Sequence, residues 1–172
     1  MAHHHLQARL LATLIALFCA VGLTFAADII RIDQPTGSQQ IPSNTDNPFI
    51  YTILGAQANG ITDAYYPNSF SVDFQWIQNG NDSNVLKFNA ISSVDATPAP
   101  AGVSDKQYTQ QTWKTPNCHF FTRYRTSDYS FSLVVTPTYS TLTLNQTAPG
   151  PEQSVLTVPL NIQVNNGTFP RC

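Results

Sequence analysis

The dominant period of the chain, once its apolar N-terminal run is passed, is two. In SFSVDFQW, residues 69–76, Phe70, Val72, Phe74 and Trp76 fall on one face, and Ser71, Asp73 and Gln75 fall on the other. That alternation is the mark of a half-buried strand. YSFSLVV repeats it with Tyr129, Phe131, Leu133 and Val135, and SVLTVPLNIQV turns Leu156, Val158, Leu160, Ile162 and Val164 inward. Pro159 falls on the outer face of this last segment and cannot donate a ladder hydrogen bond, which predicts an edge strand or a bulge. Weaker strand signals cover residues 28–32, 48–54, 85–91, 108–114, 119–125 and 140–144. Between them lie the turn sequences PTG, ANG, QNGNDSN, TPAPAG, TPN, TSD and APGP, in which Gly, Pro, Asn and Asp punctuate the chain.

About nine short strands with turns at this spacing predict an all-β domain, an antiparallel β-sandwich of immunoglobulin-like or related Greek-key topology. The Cys-Trp-Cys order of true immunoglobulin domains is absent, because Trp76 precedes Cys118. No helical stripe is visible in the same stretch. The longest irregular segment, residues 92–107, reads as a surface loop, and no repeat or domain boundary appears.

The first 26 residues read differently. Arg9 precedes an apolar run from Leu10 to Phe25, with Thr24 and Ala26 supplying small side chains ahead of a cut. That is a signal peptide. Residues 1–26 are expected to be removed, leaving a single secreted, extracellular domain over 27–172. The competing reading, an uncleaved anchor, needs roughly 20 apolar residues, more than the run supplies. The sequence NNGTFPRC has no hydrophobic tail of the lipid-anchor kind. The histidines at positions 3–5 fall ahead of the cut and receive no role.

Composition narrows the chemistry further. Charged residues make up 10% of the chain, so its polar surface must come from Ser, Thr, Asn and Gln. With Arg9 set aside, seven basic side chains stand against ten acidic ones, and no basic run offers a nucleic-acid footprint. No Lys/Arg-rich amphipathic helix is visible for membranes, and no membrane insertion is expected after cleavage. Cys19 lies in the signal, which leaves Cys118 and Cys172 as the predicted disulfide of an exported chain.

His119 is the only histidine after the signal. A multi-histidine metal site cannot then be assembled, and a Ser-His-Asp triad would have to use His119 without a G-x-S-x-G elbow. If residues 119–125 form a strand, Cys118 and His119 point to opposite faces and do not make a dyad. No cofactor, metal or catalytic residue is assigned. A sugar hydrolase would need only two carboxylates; the aspartates fall mostly in turns, with Asp73 on the polar face of its strand the exception, and Glu152 lies in a turn. QNGNDSN is rich in oxygen ligands, but it lacks the alternating acids and terminal Glu of a calcium loop and reads as a hairpin turn.

For binding, Tyr65 and Tyr66 beside a proline turn and Trp113 on a polar strand are candidates to stack on sugar rings, against the alternative that they cap the core. Arg123 and Arg125 share a strand face and are candidates to clamp an anion or sugar hydroxyls, or simply to pair with a carboxylate. Asn81, Asn145 and Asn166 each head an N-glycosylation sequon in a turn or at a strand end, where a glycan is sterically tolerated. The opening IIRIDQPTGSQQI is similar to fungal cell-wall modules in which a strand runs into a proline-glycine turn and a second strand follows. The Ser/Thr-rich stalk of such proteins is missing.

The resulting expectation is a disulfide-stapled glycoprotein that binds an extracellular protein or glycan at a cell surface, wall or matrix, without catalysis. A carbohydrate-binding module or carbohydrate-active enzyme, and a subunit that self-assembles through the edge near Pro159, are the alternatives.

Overall fold

The computed structural model describes residues 28–165. The predicted signal segment, Asn166 and Cys172 lie outside the described residues. Eight strands form two sheets: β1 (Ile30–Gln34), β2 (Gln40–Pro42), β3 (Asp46–Ile53), β4 (Ser69–Gln78), β5 (Val85–Asp95), β6 (Lys106–Lys114), β7 (Tyr129–Thr138) and β8 (Leu156–Gln163). One sheet has the order β1-β3-β6 and the other β2-β8-β7-β4-β5. Every pairing is antiparallel except β2 with β8, which run parallel.

The alternation read from the sequence becomes alternation of burial. Along β4 the odd and even positions are half-buried and buried in turn, with Phe70, Val72 and Phe74 fully covered. Phe49, Tyr51 and Ile53 of β3 are likewise fully covered. The sheets meet through aromatic rings: Tyr51 of β3 sits edge-on to Phe70 of β4 with centroids 4.9 Å apart, and Trp113 of β6 lies 6.0 Å from Phe74. Such tilted and edge-to-face contacts add to area burial because ring quadrupoles oppose face-to-face stacking.

Three local expectations change. Residues 119–125, expected as a strand, instead form a short helix, α1 (Cys118–Arg123). Asn117 caps it, its side-chain oxygen accepting from the Phe120 N–H at 3.2 Å, and Arg123 stands in the last turn. An Asn cap followed by apolar residues three apart, Cys118 and Phe121, is a helix signature. Residues 140–144, also expected as a strand, have no partner and remain irregular. Conversely β2 was not among the strand signals: it is three residues long and exists by pairing with Asn161–Gln163.

β8 is therefore flanked by β2 over Asn161–Gln163, and the turn carrying Gly37 lies against the Pro159 ring. From Leu156 to Leu160 β8 pairs with β7 alone, so Pro159 sits on an edge stretch as expected; β5 and β6 carry further open edges among the described residues. A five-stranded sheet facing a three-stranded one must overhang. At β5, Phe88 pairs across from Phe74 on the inner face yet stays 38% exposed.

Candidate functional site at the loop end

Strand directions gather three long connections at one end of the domain. β3 ends and β4 begins there, joined by residues 54–68; β5 leads to β6 through 96–105; and β7 leads to β8 through 139–155. The opposite end carries the hairpin 79–84, the turn 43–45 and the connection holding α1. Loops on a rigid two-sheet frame are where binding residues usually sit.

These loops are tied to one another. The Tyr65 ring packs on Tyr139 at 4.6 Å, and its hydroxyl donates to the Ser140 carbonyl at 3.5 Å. The Tyr139 hydroxyl accepts from the Gln153 N–H at 2.7 Å. Gln153 is buried, and its side-chain oxygen accepts from both Ile29 and Ile30 N–H at 2.8 and 2.7 Å, fastening the third loop to the start of β1. Tyr66 bridges its own loop, its hydroxyl donating to the Leu54 carbonyl and accepting from Ala56 N–H. Asp105 accepts from Gly55 N–H and from the Asn59 side chain, while Gln57 N–H donates to the Gly102 carbonyl. Gly102 has φ +62°, and Gly150 lies so close to the Asp63 carbonyl that a Cβ would collide with it.

What these ties hold up is a set of exposed aliphatic side chains, with Asp63, Asp105 and Glu152 exposed on the same three loops. Six large hydrophobic side chains are exposed among the described residues, and four of them, Val103, Leu142, Leu144 and Val155, stand on this end. Leu144 is fully exposed. Scattered exposed aliphatics are ordinary, but a concentration on one braced end marks an interaction surface.

The sequence candidates are distributed otherwise. Tyr65 is 8% and Trp113 2% exposed, so both rings serve the interior and neither offers a face to a sugar; Tyr66 is half-buried and engaged by the backbone. Arg123 and Arg125 are exposed near the opposite end, and with α1 in place of a strand they no longer share a strand face; Arg123 lies over the Tyr124 ring at 5.5 Å. Cys118 is buried and His119 exposed on successive positions of α1, separated by the roughly 100° step of a helix instead of a strand's alternation. Asp73 accepts from Lys87 at 2.8 Å and from Asn89 at 3.2 Å on the outer face. Asn81 sits in the β4–β5 turn and Asn145 in the third loop, both exposed. The loop-end aliphatics escaped the sequence reading; the signal was present in STLTL, an alternating segment whose leucines have nothing to pack against.

The carboxylates that tie loops and strands give the fold a pH dependence. The Thr97 hydroxyl holds the Asp95 carboxyl below its usual range, helped by the Tyr108 hydroxyl. The Gly55 N–H and Asn59 do the same for Asp105. Burial pushes Asp33 up, but hydrogen bonds from Thr52, Gln107 and Arg31 outweigh it and its carboxyl is lowered. Each group is then a stronger acid folded than unfolded, so its stabilisation is complete above the ordinary carboxylate range near about 4 and disappears as pH falls through the folded value. Thermal melts are expected to hold steady from neutrality to about pH 5 and to fall steadily below about pH 4. A melting temperature unchanged by acid would contradict this account.

Among the described residues no helix is long and apolar enough to cross a membrane, and no three His, Cys, Asp or Glu side chains converge as a metal site. No protein-family model and no curated protein sequence matches the chain.

Proposed function

We propose that the chain is a secreted, disulfide-stapled β-sandwich glycoprotein of immunoglobulin-like topology that acts without catalysis, binding an extracellular partner through its loop end. The observation that carries this reading is the set of three long loops, cross-tied by Tyr65 on Tyr139 and Ser140 and by Asp105 to Gly55 and Asn59, on which Leu142 and Leu144 stand out to solvent. Loops already fastened lose little conformational freedom on binding, which favours affinity. A surface of exposed aliphatics interspersed with Asp63, Asp105 and Glu152, its tyrosines turned inward, suits a protein partner better than a sugar ring that would stack on an aromatic face.

Topology supports the architecture. The orders β1-β3-β6 and β2-β8-β7-β4-β5 correspond to strands A-B-E and A′-G-F-C-C′ of the immunoglobulin plan, with the parallel β2–β8 pair in the A′–G place. The loop end then carries the B–C and F–G connections, the ones that variable domains use for recognition.

The disulfide Cys118–Cys172 is part of the proposal. Ser43 accepts from Asn165 N–H at 2.9 Å, and the neighbouring Asn44 N–H donates to the Pro116 carbonyl at 2.9 Å. The chain at 165 is thereby tied close to the approach to Cys118, and extended backbone covers about 3.3–3.6 Å per residue, ample reach for Cys172. Mass spectrometry of secreted protein is expected to show one Cys118–Cys172 peptide, and two free thiols would remove the staple. Asn81, Asn145 and Asn166 are proposed as glycan sites; a glycosidase-induced gel shift is the expected result in a eukaryotic host, and no shift counts against them.

The functional test is binding of labelled secreted protein to intact cells and isolated extracellular matrix or wall of the producing organism. Saturable binding that is lost in the Leu142→Asp/Leu144→Asp double variant and kept in Lys87→Ala is expected. Binding indifferent to those leucines, or no binding, would overturn the reading. A glycan array bound through Tyr66 or Arg123 would instead favour the carbohydrate alternative.

A further inference from the structure

The β6 edge offers an acceptor that matches the exposed loop. Among the described residues no strand pairs with the outer edge of β6 or with the outer edge of β5. Two depressions lie along β6: one of about 370 Å³ beside Tyr108, Thr109 and Gln111, and one of about 510 Å³ where Phe88, Phe120, Lys114 and Pro116 meet. In the second, the Phe88 ring stacks on Phe74 at 5.1 Å and turns a partly bare face to solvent. In the immunoglobulin plan this is the place of the fourth strand of the smaller sheet, and here no strand of the described chain fills it.

The same chain carries a segment of strand-like sequence that joins no sheet. Residues 140–144, STLTL, alternate Ser and Thr with Leu142 and Leu144, carry no charge, and have β-branched threonines suited to a pleated edge. In the domain they join no strand ladder; Ser140 is held by the Tyr65 hydroxyl and by Asn68, and Leu142 and Leu144 stand exposed. An unpaired edge and an unpaired strand of complementary pattern are the two halves of β-augmentation.

We infer that the partner of the loop end is a second copy of this chain: residues 140–144 of one molecule add to the free edge of β6 in another, placing Leu142 and Leu144 over Phe88. This rests on the loop-end reading and names its partner. Within the segment Leu142 and Leu144 share a face while Asn145 alternates to the other, so a glycan on Asn145 would point away from the seam. The donor gives up one exposed turn, in which Gln146 N–H donates to the Thr143 carbonyl and Thr143 N–H donates to the Gln146 side-chain oxygen, and gains ladder bonds. A seam of about five residues is about 17 Å long and falls at the low end of the interface sizes that hold stable complexes. The association is accordingly reversible and concentration-dependent.

Sedimentation velocity of the mature secreted protein, from dilute to near its solubility limit, is the test. Self-association rising with concentration is expected, weakened about tenfold or more in Leu144→Asp, because a charge would be carried into an apolar seam. Phe88→Lys should lose association in the same way. A mixture of the two variants should associate again, since each retains the half the other lacks. Because Phe88→Lys touches the core, a labelled peptide of residues 139–147 gives a second readout: it is expected to bind Leu144→Asp protein, whose acceptor is intact. A strict monomer at every concentration, association untouched by both substitutions, or a peptide that does not bind would overturn the inference. Monomeric protein whose cell-surface binding still requires Leu142 and Leu144 would remove the second copy as partner and leave the loop-end function standing. Loss of both would remove both.

Discussion

Phe74→Ala is expected to lower the unfolding free energy by about 3–5 kcal/mol, the range for deleting a large buried aromatic. Phe74 is fully buried on β4, and its ring lies within 5.1–6.0 Å of Trp76, Phe88, Trp113, Phe120 and Phe131. Those partners come from β4, β5, β6, α1 and β7, so a single cavity loosens both sheets and the helix together. Rigid elements on every side limit collapse of the void, which places the loss high in that range. A chemical denaturation curve should show the midpoint fall with its slope unchanged. A loss below about 1 kcal/mol would mean that the aromatic cluster repacks, contrary to the close packing expected of such an interior.

Gln153→Ala is expected to be the next most damaging, and it acts by a different route. The substitution leaves the N–H groups of Ile29 and Ile30 without the oxygen that accepts from both, and each buried orphan costs about 1–3 kcal/mol. The domain should lose about 2–4 kcal/mol on that count, with the loss concentrated at the start of β1 and in the third loop. Hydrogen exchange at Ile29 and Ile30 should accelerate far more than exchange in β4. Gln153→Glu keeps an acceptor and should recover part of the protection at those two amides. If alanine leaves their exchange unchanged, Gln153 is not the fastener described here.

Much of the architecture was legible because burial writes a period of two into a strand. β4, β7 and β8 could be read directly, since their inward positions are apolar and their outward positions, apart from Ile77, Val134 and Pro159, are Ser, Thr, Asp, Asn or Gln. What the pattern cannot carry is pairing. STLTL alternates as clearly as β8 does, yet no strand edge meets it within the domain, whereas Gln40–Pro42 shows little pattern and becomes β2 because β8 lies beside it. Residues 119–125 differ for another reason: HFFTRYR satisfies a strand by composition, while the Asn117 cap and the Cys118/Phe121 spacing decide for a helix over Cys118–Arg123.

The candidate site was less legible than the fold. Tyr65 and Trp113 look alike in sequence whether they face a ligand or the interior, and burial places both inside. In β6, Trp113 stands opposite Asn47 of β3 on the inward register, which the polar run YTQQTWK disguises. The connections at the loop end are far apart in sequence and meet only because alternate strands reverse direction. Their shared end is a property of topology, absent from any local window.

The anchoring hydroxyls and the one amide lie near the ends of these connections, while positions 57, 58 and 141–145 are exposed between them. Side chains at those positions can be exchanged without disturbing the frame beneath. A lineage of such chains could therefore acquire new specificities by surface drift alone, provided that Tyr65, Tyr66, Tyr139 and Gln153 stay in place.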